Sequence, residues 1–120
     1  MNKILSKKIK NNKPYLIAEI GVNHENSISL AERIIKQAKK GGADAVKFQI
    51  YKAEKIASYK SPYYWNLKKN PEKSQYKLFK KYDKFNERDY VALKKICQKY
   101  KIDFLATPFD LDAVEFLDKL

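Results

Sequence analysis

The first half of the chain contains two different hydrophobic patterns. A short apolar run, Tyr15–Ile20, ends at Gly21, which is typical of a strand buried on both faces. Apolar residues then recur at helical spacing, at Ala31, Ile34, Ile35 and Ala38. Ser27 or Ser29 can cap the start of this helix, and Gly41-Gly42 ends it. The pattern therefore predicts a strand followed by a helix.

The second predicted strand, Ala45–Ile50, alternates between two kinds of residue. Val46, Phe48 and Ile50 fall on one face, and Ala45, Lys47 and Gln49 fall on the other. Both faces of a parallel sheet covered by helices are buried, so polar strand residues there need a reason. Lys47 and Gln49 are therefore candidates for function.

The C-terminal part of the chain repeats the strand and helix pattern. After a connector over 51–85, a helix is predicted from near Asn86, with the apolar stripe Tyr90, Leu93, Ile96, Cys97 and Tyr100. A third strand, Ile102–Ala106, is stopped by Thr107-Pro108, and Asp110 caps a last helix. We expect the inner face of that helix to carry Val114, Leu117 and Leu120.

The order of elements is thus β-α-β-α-β-α, an α/β pattern. It requires parallel strands with helical crossovers, which are right-handed in nearly all cases. A doubly wound open sheet and the first part of a (β/α)₈ barrel both remain open. A full barrel needs about 250 residues, so about three of its eight units would be present. The last helix has no end signal before Leu120, so we expect the N-terminal part of a longer chain or a truncated product. Residues 1–13 are expected to be a mobile basic lead-in and residues 14–120 the N-terminal part of the domain.

Composition adds a large positive charge. The chain has 26 Lys and Arg against 14 Asp and Glu, a net charge of +12. A positive charge of this size is typical of proteins that bind nucleic acids. However, only Arg33 and Arg88 are arginines, and the readout of bases favours the bidentate guanidinium of arginine. We interpret the excess as a lysine-rich solvated surface. The alternative is a basic nucleic-acid-binding module on a βαβ core.

Three features of the sequence indicate the cellular compartment of the protein. No stretch approaches the roughly 18 apolar residues of a spanning helix. The N-terminal residues are polar and lysine-rich, without the apolar run of a signal peptide. A single cysteine, Cys97, cannot form an internal disulfide. We expect a cytoplasmic protein that does not contact membranes.

Four polar residues are expected to meet at the carboxyl ends of the strands. Glu19 ends the first strand, Lys47 and Gln49 lie on the second, and Thr107 follows the third. Barrels and open α/β sheets bind their ligands at this edge. The alternative for Glu19 and Lys47 is a buried ion pair that only holds two strands together. Such pairs often add little net stability, so we favour a functional site.

Several chemistries are open to these residues. Lys47 can hold a phosphate or carboxylate as a point charge or, if burial lowers its pKa, form a Schiff base. Glu19 and Gln49 suit hydrogen bonding to hydroxyls, and Glu19 can also move a proton. His24, the single histidine, is either a metal ligand or a residue that orders its loop by hydrogen bonding. We favour the second role because it has no partner ligands nearby in the sequence.

Three segments together resemble a known family. AEIGVNH (18–24), GGADAVKFQ (41–49) and FLATPFD (104–110) occur in this order on the three predicted strands. They resemble the sialic acid synthase family, which includes N-acetylneuraminate, legionaminate and pseudaminate synthases. The resemblance covers essentially residues 14–120. It implies the N-terminal portion of a (β/α)₈ TIM barrel.

The resemblance also implies an activity and residue roles. The family condenses phosphoenolpyruvate with the aldehyde of an N-acetylated hexosamine, giving a nine-carbon 2-keto sugar acid and phosphate. Lys47 and Thr107 match positions that bind phosphoenolpyruvate. Glu19 and Gln49 match positions that contact the acceptor sugar, with Glu19 near the reacting centre, and Asn70 looks like the connector residue that reaches the sugar. Lys47 and Glu19 are therefore the catalytic candidates.

Other properties that the resemblance implies concern the full-length enzyme. A divalent metal, Mn²⁺ or Mg²⁺, activates the aldehyde, which sets aside a Schiff base on Lys47. The metal-binding histidine pair and a small C-terminal antifreeze-like domain are expected beyond residue 120, so no metal ligand is assigned here. A homodimer is expected for full-length members, and the 120-residue chain alone is expected to be inactive and to self-associate. Asn26 stands where members often have Gly, and Asn tolerates the same left-handed geometry.

The connector has an unusual composition. Residues 51–85 contain ten Lys, three acidic residues and nine aromatics, a mixture that can stack and neutralise single-stranded nucleic acid. Alternatively it is a long active-site loop or subunit contact, with Tyr76, Phe79 and Tyr82 packing on the barrel as a helical stripe. The motifs around it favour the loop.

Overall fold

The computed structural model describes residues 3–120, and this part of the chain has three strands and six helices. The strands are β1 (Ile17–Gly21), β2 (Ala45–Ile50) and β3 (Asp103–Pro108). The helices are α1 (Lys3–Lys10), α2 (Ile28–Lys40), α3 (Ala53–Ile56), α4 (Gln75–Tyr82), α5 (Glu87–Lys99) and α6 (Leu111–Lys119). The predicted alternation is confirmed, with α1 before it and α3 and α4 inside the connector.

The strands form one parallel sheet in the order β1-β2-β3. Glu19 is opposite Lys47 in the first pairing, and Gln49 is opposite Thr107 in the second. Each strand pairs with the next strand in the chain, so each crossover returns to the adjacent position. The register thus brings residues from all three strands to the same edge.

The core lies on one face of the sheet. Helices α2 and α5 pack against each other, and both also contact strands. They cover Val46 and Phe48, which are fully buried together with Ile35 of α2 and Leu93 of α5. The opposite face, which we call the inner face, is open, and Ile17 there is 49% exposed. The core helices α2 and α5 therefore pack on the face of the sheet that carries Val46.

The helices begin where the sequence predicts. Ser27 caps α2, Asp110 caps α6, and Asn86 caps α5 in a capping box with Asp89. Gly41 and Gly42 end α2, and Gly42 has a positive φ of 90°. The longest helices have 13 residues. Between residues 3 and 120 no helix is long and apolar enough to cross a membrane.

The N-terminal segment differs from the expected mobile lead-in. Residues 1–2 lie outside the described residues, but 3–10 form helix α1. Lys8 Nζ lies 3.2 Å from Asp44 Oδ2, and the same carboxylate accepts a hydrogen bond from the Leu16 amide. Tyr15 donates its hydroxyl proton to Asp103 at 2.5 Å. These contacts attach the N-terminal segment to the amino ends of β2 and β3.

Two burial predictions are wrong in part. The strand β1 is not buried on both faces, since Leu16 and Ile17 are each 49% exposed at its amino end. The reason is that β1 is an edge strand with an open inner face. On α6, Val114 is 48% exposed, and the inward residues are Ala113 and Phe116. The third strand also starts one residue later and ends two residues later than predicted.

Candidate active site

An ion pair joins the two charged residues that the sequence singles out. Lys47 Nζ lies 2.9 Å from Glu19 Oε2. Their side chains are 38% and 49% exposed, because the inner face is open. The alternative of a buried pair that only holds strands together therefore does not describe this pair. Both charged groups are accessible to a ligand.

Gly21 lies beside a third residue of the predicted site, Gln49. The pairing of β1 with β2 is irregular between Glu19 and Gly21, and Gly21 has a positive φ of 56°. A Cβ at Gly21 would lie 3.5 Å from Gln49 Nε2 and 3.6 Å from Glu19 Oε1. The Gln49 amide and the Glu19 carboxylate therefore both lie next to this glycine.

Thr107 reaches the same edge from the third strand. It is the register partner of Gln49 and is partly buried. The ladder continues past it, since the Phe109 amide donates to the Ile50 carbonyl at 3.0 Å. The structure thus places all four strand residues of the predicted site at one end of the sheet, with direct contact between Glu19 and Lys47.

A cleft of about 260 Å³ lies beside this edge. Gln49 and Asn70 supply its two amide side chains, and Tyr51 lies in its wall. The remaining lining side chains are apolar or aromatic: Val22, Ile56, Leu78, Phe79, Tyr82 and Phe109. The Tyr51 ring meets Phe79 and Phe109 edge-on, and burial raises the pKa of Tyr51 to about 12. The cleft is thus an apolar space with two polar positions.

The connector brings Asn70 to the cleft by folding back on itself. Asn70 Oδ1 accepts a hydrogen bond from the Glu72 amide at 3.3 Å. The Trp65 indole donates to the Glu72 carbonyl at 3.0 Å, which closes the turn. Asn70 and Gln49, predicted from different parts of the chain, therefore share one cleft.

Asn26 fastens the connector to the loop after β1, a role that sequence reasoning missed. Its Nδ2 donates to the Lys81 carbonyl at 2.9 Å, and its Oδ1 accepts from the Lys84 amide at 3.1 Å. Asn26 has φ 60°, so the expectation that Asn keeps left-handed geometry there is confirmed. The sequence shows Asn26 where family members often have Gly, but the residues that Asn26 binds are 55 and 58 positions away.

Two further residues hold the same part of the connector, the 81–85 segment. Lys52 Nζ donates to the carbonyls of Asp83 and Phe85 at 2.9 and 3.0 Å. The buried Asp83 carboxylate accepts from the Ala53 amide at 2.9 Å. Since this segment includes the last two residues of α4, these bonds fix the helix that forms one wall of the cleft.

His24 orders its loop, as favoured from the sequence. It is 1% exposed, its ring stacks on Phe85 at 4.3 Å, and its Nδ1 accepts from the Asn26 amide at 3.1 Å. Burial lowers the pKa of His24 to about 4, so it is neutral at pH 7. Nε2 is buried without a partner.

The residues that the structure describes form no metal site by themselves. Among residues 3–120 no three His, Cys, Asp or Glu side chains are grouped so that they could hold an ion. Glu19 is paired with Lys47, and His24 lies in an apolar stack. The proposed roles of Glu19, Lys47, Gln49, Thr107 and Asn70 therefore involve no metal ion held by these residues.

Comparison with known proteins gives consistent matches. The N,N'-diacetyllegionaminic acid synthase of Campylobacter jejuni is 40% identical over 114 residues, which are 90% of this chain and 33% of that protein. The N-acetylneuraminate-9-phosphate synthase of Mus musculus is 37% identical over 109 residues, 88% of this chain and 30% of that protein. The chain therefore spans about a third of the length of these relatives.

Solved structures and family models agree with these matches. The N-acetylneuraminic acid (sialic acid) synthetase of Leptospira borgpetersenii, solved with citrate, is 33% identical, with a TM-score of 0.73 over 90% of this chain and 34% of that chain. Residues 34–120 match the model of the NeuB family. The predicted resemblance to sialic acid synthases is confirmed. The chain belongs to the NeuB family.

Proposed function

We propose that this chain supplies part of the active site of a sialic-acid-type synthase. The reaction joins phosphoenolpyruvate to the aldehyde carbon of an N-acetylated hexosamine, consumes one water, and releases phosphate and a nine-carbon 2-keto sugar acid. The observation that carries the proposal is the contact of Glu19 with Lys47 at 2.9 Å, with the Gln49 amide close by above Gly21. A cation, a carboxylate and an amide thus meet at the ligand-binding edge of a parallel sheet.

We also propose that the sheet is the first part of a (β/α)₈ barrel. Two features support a barrel over a doubly wound sheet: the sequential order β1-β2-β3, and helices α2 and α5 packed on one face. A doubly wound sheet has helices on both faces. In a barrel the inner face, with Ile17, Glu19 and Lys47, points to the axis.

Each residue has a role that its chemistry supports. Lys47 holds the phosphate of phosphoenolpyruvate as a point charge, and the Thr107 hydroxyl donates a hydrogen bond to the same ligand. Gln49 and Asn70 bind the polar groups of the acceptor sugar from the cleft. Glu19 accepts hydrogen bonds from the acceptor and is placed to move a proton near the reacting carbon. The metal and the homodimeric assembly of the full-length enzyme are proposed to need residues outside this chain.

Phosphate release tests this function directly. The full-length protein is mixed with phosphoenolpyruvate, Mn²⁺ and N-acetylmannosamine. We expect Lys47→Met to lower kcat/KM at least about 100-fold, because the phosphate loses its cation in a partly enclosed site. Lys36→Met, which removes an exposed lysine of α2, is the matched control and should leave the rate unchanged. No phosphate release from the unmodified protein with any N-acylated hexosamine would contradict the proposal, as would equal rates for the two variants.

The same assay is also applied to the 120-residue chain alone. The 120-residue chain alone is proposed to be inactive because none of its described residues form a metal site. Phosphate release by the purified chain under the same conditions would contradict that part.

The second candidate function, a nucleic-acid-binding module, has less support. Two connector lysines already have partners in the chain, since Lys52 donates to two carbonyls and Lys80 forms an exposed ion pair with Glu54. Phe79 and Tyr82 line the cleft, although Tyr59 and Tyr64 are 72% and 77% exposed. Oligonucleotide binding that persists at physiological ionic strength would favour this function.

The names of the matched relatives do not show whether the acceptor sugar is neutral or phosphorylated. Proteins named for a diacetylated product and for a 9-phosphorylated product match the chain at 40% and 37% identity. The similarity therefore fits either kind of acceptor.

A further inference from the structure

The strand β1 leaves β2 before β2 ends. The pairing of these two strands ends at Gly21 and Phe48, one residue before Gln49. The loop after β1 then turns back on itself, since the Asn23 amide donates to the Ile20 carbonyl at 3.0 Å. The last part of β2 is therefore paired on the side of β3 and has lost β1 on its other side.

The Gln49 carbonyl points to the side that β1 has left. The carbonyl groups of successive residues in a strand point to opposite neighbours. The Ile50 carbonyl accepts a hydrogen bond from the Phe109 amide at 3.0 Å, on the side of β3. The Gln49 carbonyl therefore points to the place where a residue of β1 would lie if the pairing continued.

The hydroxyl group of Tyr90 occupies this place. It donates to the Gln49 carbonyl at 2.9 Å. Tyr90 is 6% exposed, and its ring meets Phe85 edge-on at 5.9 Å and Phe116 at 6.3 Å. Burial raises the pKa of Tyr90, so the hydroxyl keeps its proton and remains a donor. A fixed ring thus supplies the hydrogen bond that strand pairing would otherwise give.

Tyr90 reaches the candidate active site from the core face of the sheet. It belongs to α5, whose start is fixed by the capping box of Asn86 and Asp89, one turn before Tyr90. The Gln49 side chain lies beside Gly21 and lines the cleft, whereas Tyr90 does not line it. The link from Tyr90 to the ligand-binding edge is therefore the backbone of Gln49.

We propose that Tyr90 is a positioning residue of the active site. It holds the carboxyl end of β2 through the Gln49 carbonyl and so orients the Gln49 side chain toward the ligand. The proposal rests on the proposed synthase function, in which Gln49 binds the acceptor. Without the hydroxyl group, a partly buried carbonyl loses its donor and the strand end shifts to find another. A small displacement of a binding group is enough to lower the rate many-fold.

NMR of the full-length protein tests the positioning without turnover. Glutamine labelled with ¹³C at the carbonyl and ¹⁵N at the side-chain amide is combined with ¹⁵N-labelled isoleucine, which selects Gln49–Ile50, the only Gln-Ile pair in this sequence. Gln49→Ala assigns both glutamine signals by removing them. We expect Tyr90→Phe, which removes the hydroxyl and keeps the ring, to shift the carbonyl signal and the side-chain amide signal of Gln49.

Tyr100→Phe is the matched control for both measurements. It removes a hydroxyl from the carboxyl end of the same helix, where Tyr100 donates to Glu32 at 3.0 Å. It should shift neither signal of Gln49 and should leave the kinetic constants unchanged.

Steady-state kinetics with N-acetylmannosamine as the acceptor test whether Tyr90 acts through Gln49. We expect Tyr90→Phe to lower kcat/KM for the acceptor about ten-fold, mainly through KM, and to leave KM for phosphoenolpyruvate within about two-fold. In the Gln49→Ala background the same substitution should change kcat/KM by less than about two-fold, because the side chain that it orients is gone.

The outcomes separate this proposal from the synthase function. Additive effects of the two substitutions, or a lower urea midpoint for Tyr90→Phe with unchanged kinetics, show a structural role only and overturn the proposal. If the unmodified protein releases no phosphate, the synthase function fails and the NMR data decide. Movement of both Gln49 signals with Tyr90→Phe then supports the positioning, and an unmoved signal of either group overturns it.

Discussion

Gly21 holds the candidate site together through its backbone. Its φ of 56° lies in the left-handed region, where a side chain costs about 1–2 kcal/mol. A Cβ there would lie 3.5 Å from Gln49 and 3.6 Å from Glu19, which are ordinary contact distances. The backbone conformation, and not the available space, therefore favours glycine.

We expect Gly21→Ala to lower the free energy of unfolding by about 1–2 kcal/mol because of this strain. Urea unfolding at equilibrium measures the change. Gly41→Ala is the matched control, since Gly41 has φ −74°, a conformation that Ala adopts freely. Equal midpoints for the two variants would show that Gly21 carries no special backbone strain.

The buried His24 makes the stability of the folded protein depend on pH. Its pKa is about 4 in the folded state, against about 6.5 in an unfolded chain, because burial disfavours the charged form. The unfolded state therefore binds more protons between these values. We expect stability to fall as the pH drops from about 6.5 to 4, by about 3 kcal/mol in total.

His24→Gln isolates this effect because Gln keeps an acceptor for the Asn26 amide but does not titrate. Urea unfolding of both proteins across this pH range should show a steeper loss for the unmodified chain. Carboxylates such as Asp44, whose pKa is lowered mainly by the Leu16 amide, contribute equally to both proteins. Parallel stability curves would contradict the assignment to His24.

Among the elements, helix α4 depends on the 81–85 segment for its position. That segment is bound by Asn26 from the loop after β1 and by Lys52 and Ala53 from the start of the connector. Helix α4 itself has no fully buried residue. Its place at the cleft therefore depends on these polar contacts as much as on apolar packing.

We expect Asn26→Gly to accelerate hydrogen exchange at the Lys84 amide about five-fold or more, because Asn26 Oδ1 is its acceptor. Gly keeps the left-handed backbone, so the loop itself should be unchanged. Asn26→Asp is the comparison, since it retains an acceptor for Lys84 and loses the donor to Lys81. The Asp89 amide, bonded to Asn86, serves as an internal control. Unchanged exchange at Lys84 in the glycine variant would rule out this contact in solution.

For the whole molecule, the two faces of the sheet have opposite character. One face carries the core around Phe48, and the inner face exposes Ile17 together with the Glu19 and Lys47 pair. Strands β1 and β3 are the two edges of the sheet in the described part of the chain. Exposed apolar surface beside unpaired strand edges promotes association.

We therefore expect the 120-residue chain to self-associate, with a sedimentation coefficient that rises with concentration. Ile17→Lys should reduce this association because it places a charge on the inner face. Ile9→Lys makes the same exchange on α1, where Ile9 is 63% exposed, and should have a smaller effect. A stable monomer at all concentrations would be the contrary result.

How well a feature could be predicted depends on how far apart in the sequence the interacting residues are. The caps at Ser27, Asn86 and Asp110 are bonded within three residues, and strand alternation puts Lys47 and Gln49 on one face, so local patterns sufficed for these features. The register that places Glu19 opposite Lys47 joins two strands separated by α2 and depends on the topology of the sheet. The contacts of Asn26 depend on how the connector folds back, which no short pattern encodes. The exposure of Ile17 depends on what covers the inner face, which is a property of the assembled molecule.

The pair of Lys47 and Glu19 has a consequence for how an anion binds. A lysine and a carboxylate in contact at 2.9 Å, with side chains 38% and 49% exposed, attract each other only weakly in water, by about 1 kcal/mol or less. The Glu19 carboxylate is therefore a counterion that the Lys47 ammonium can exchange for another anion at small cost. In the proposed synthase, the phosphate of phosphoenolpyruvate would replace one negative partner of Lys47 with another, so that the lysine is never left without a counterion.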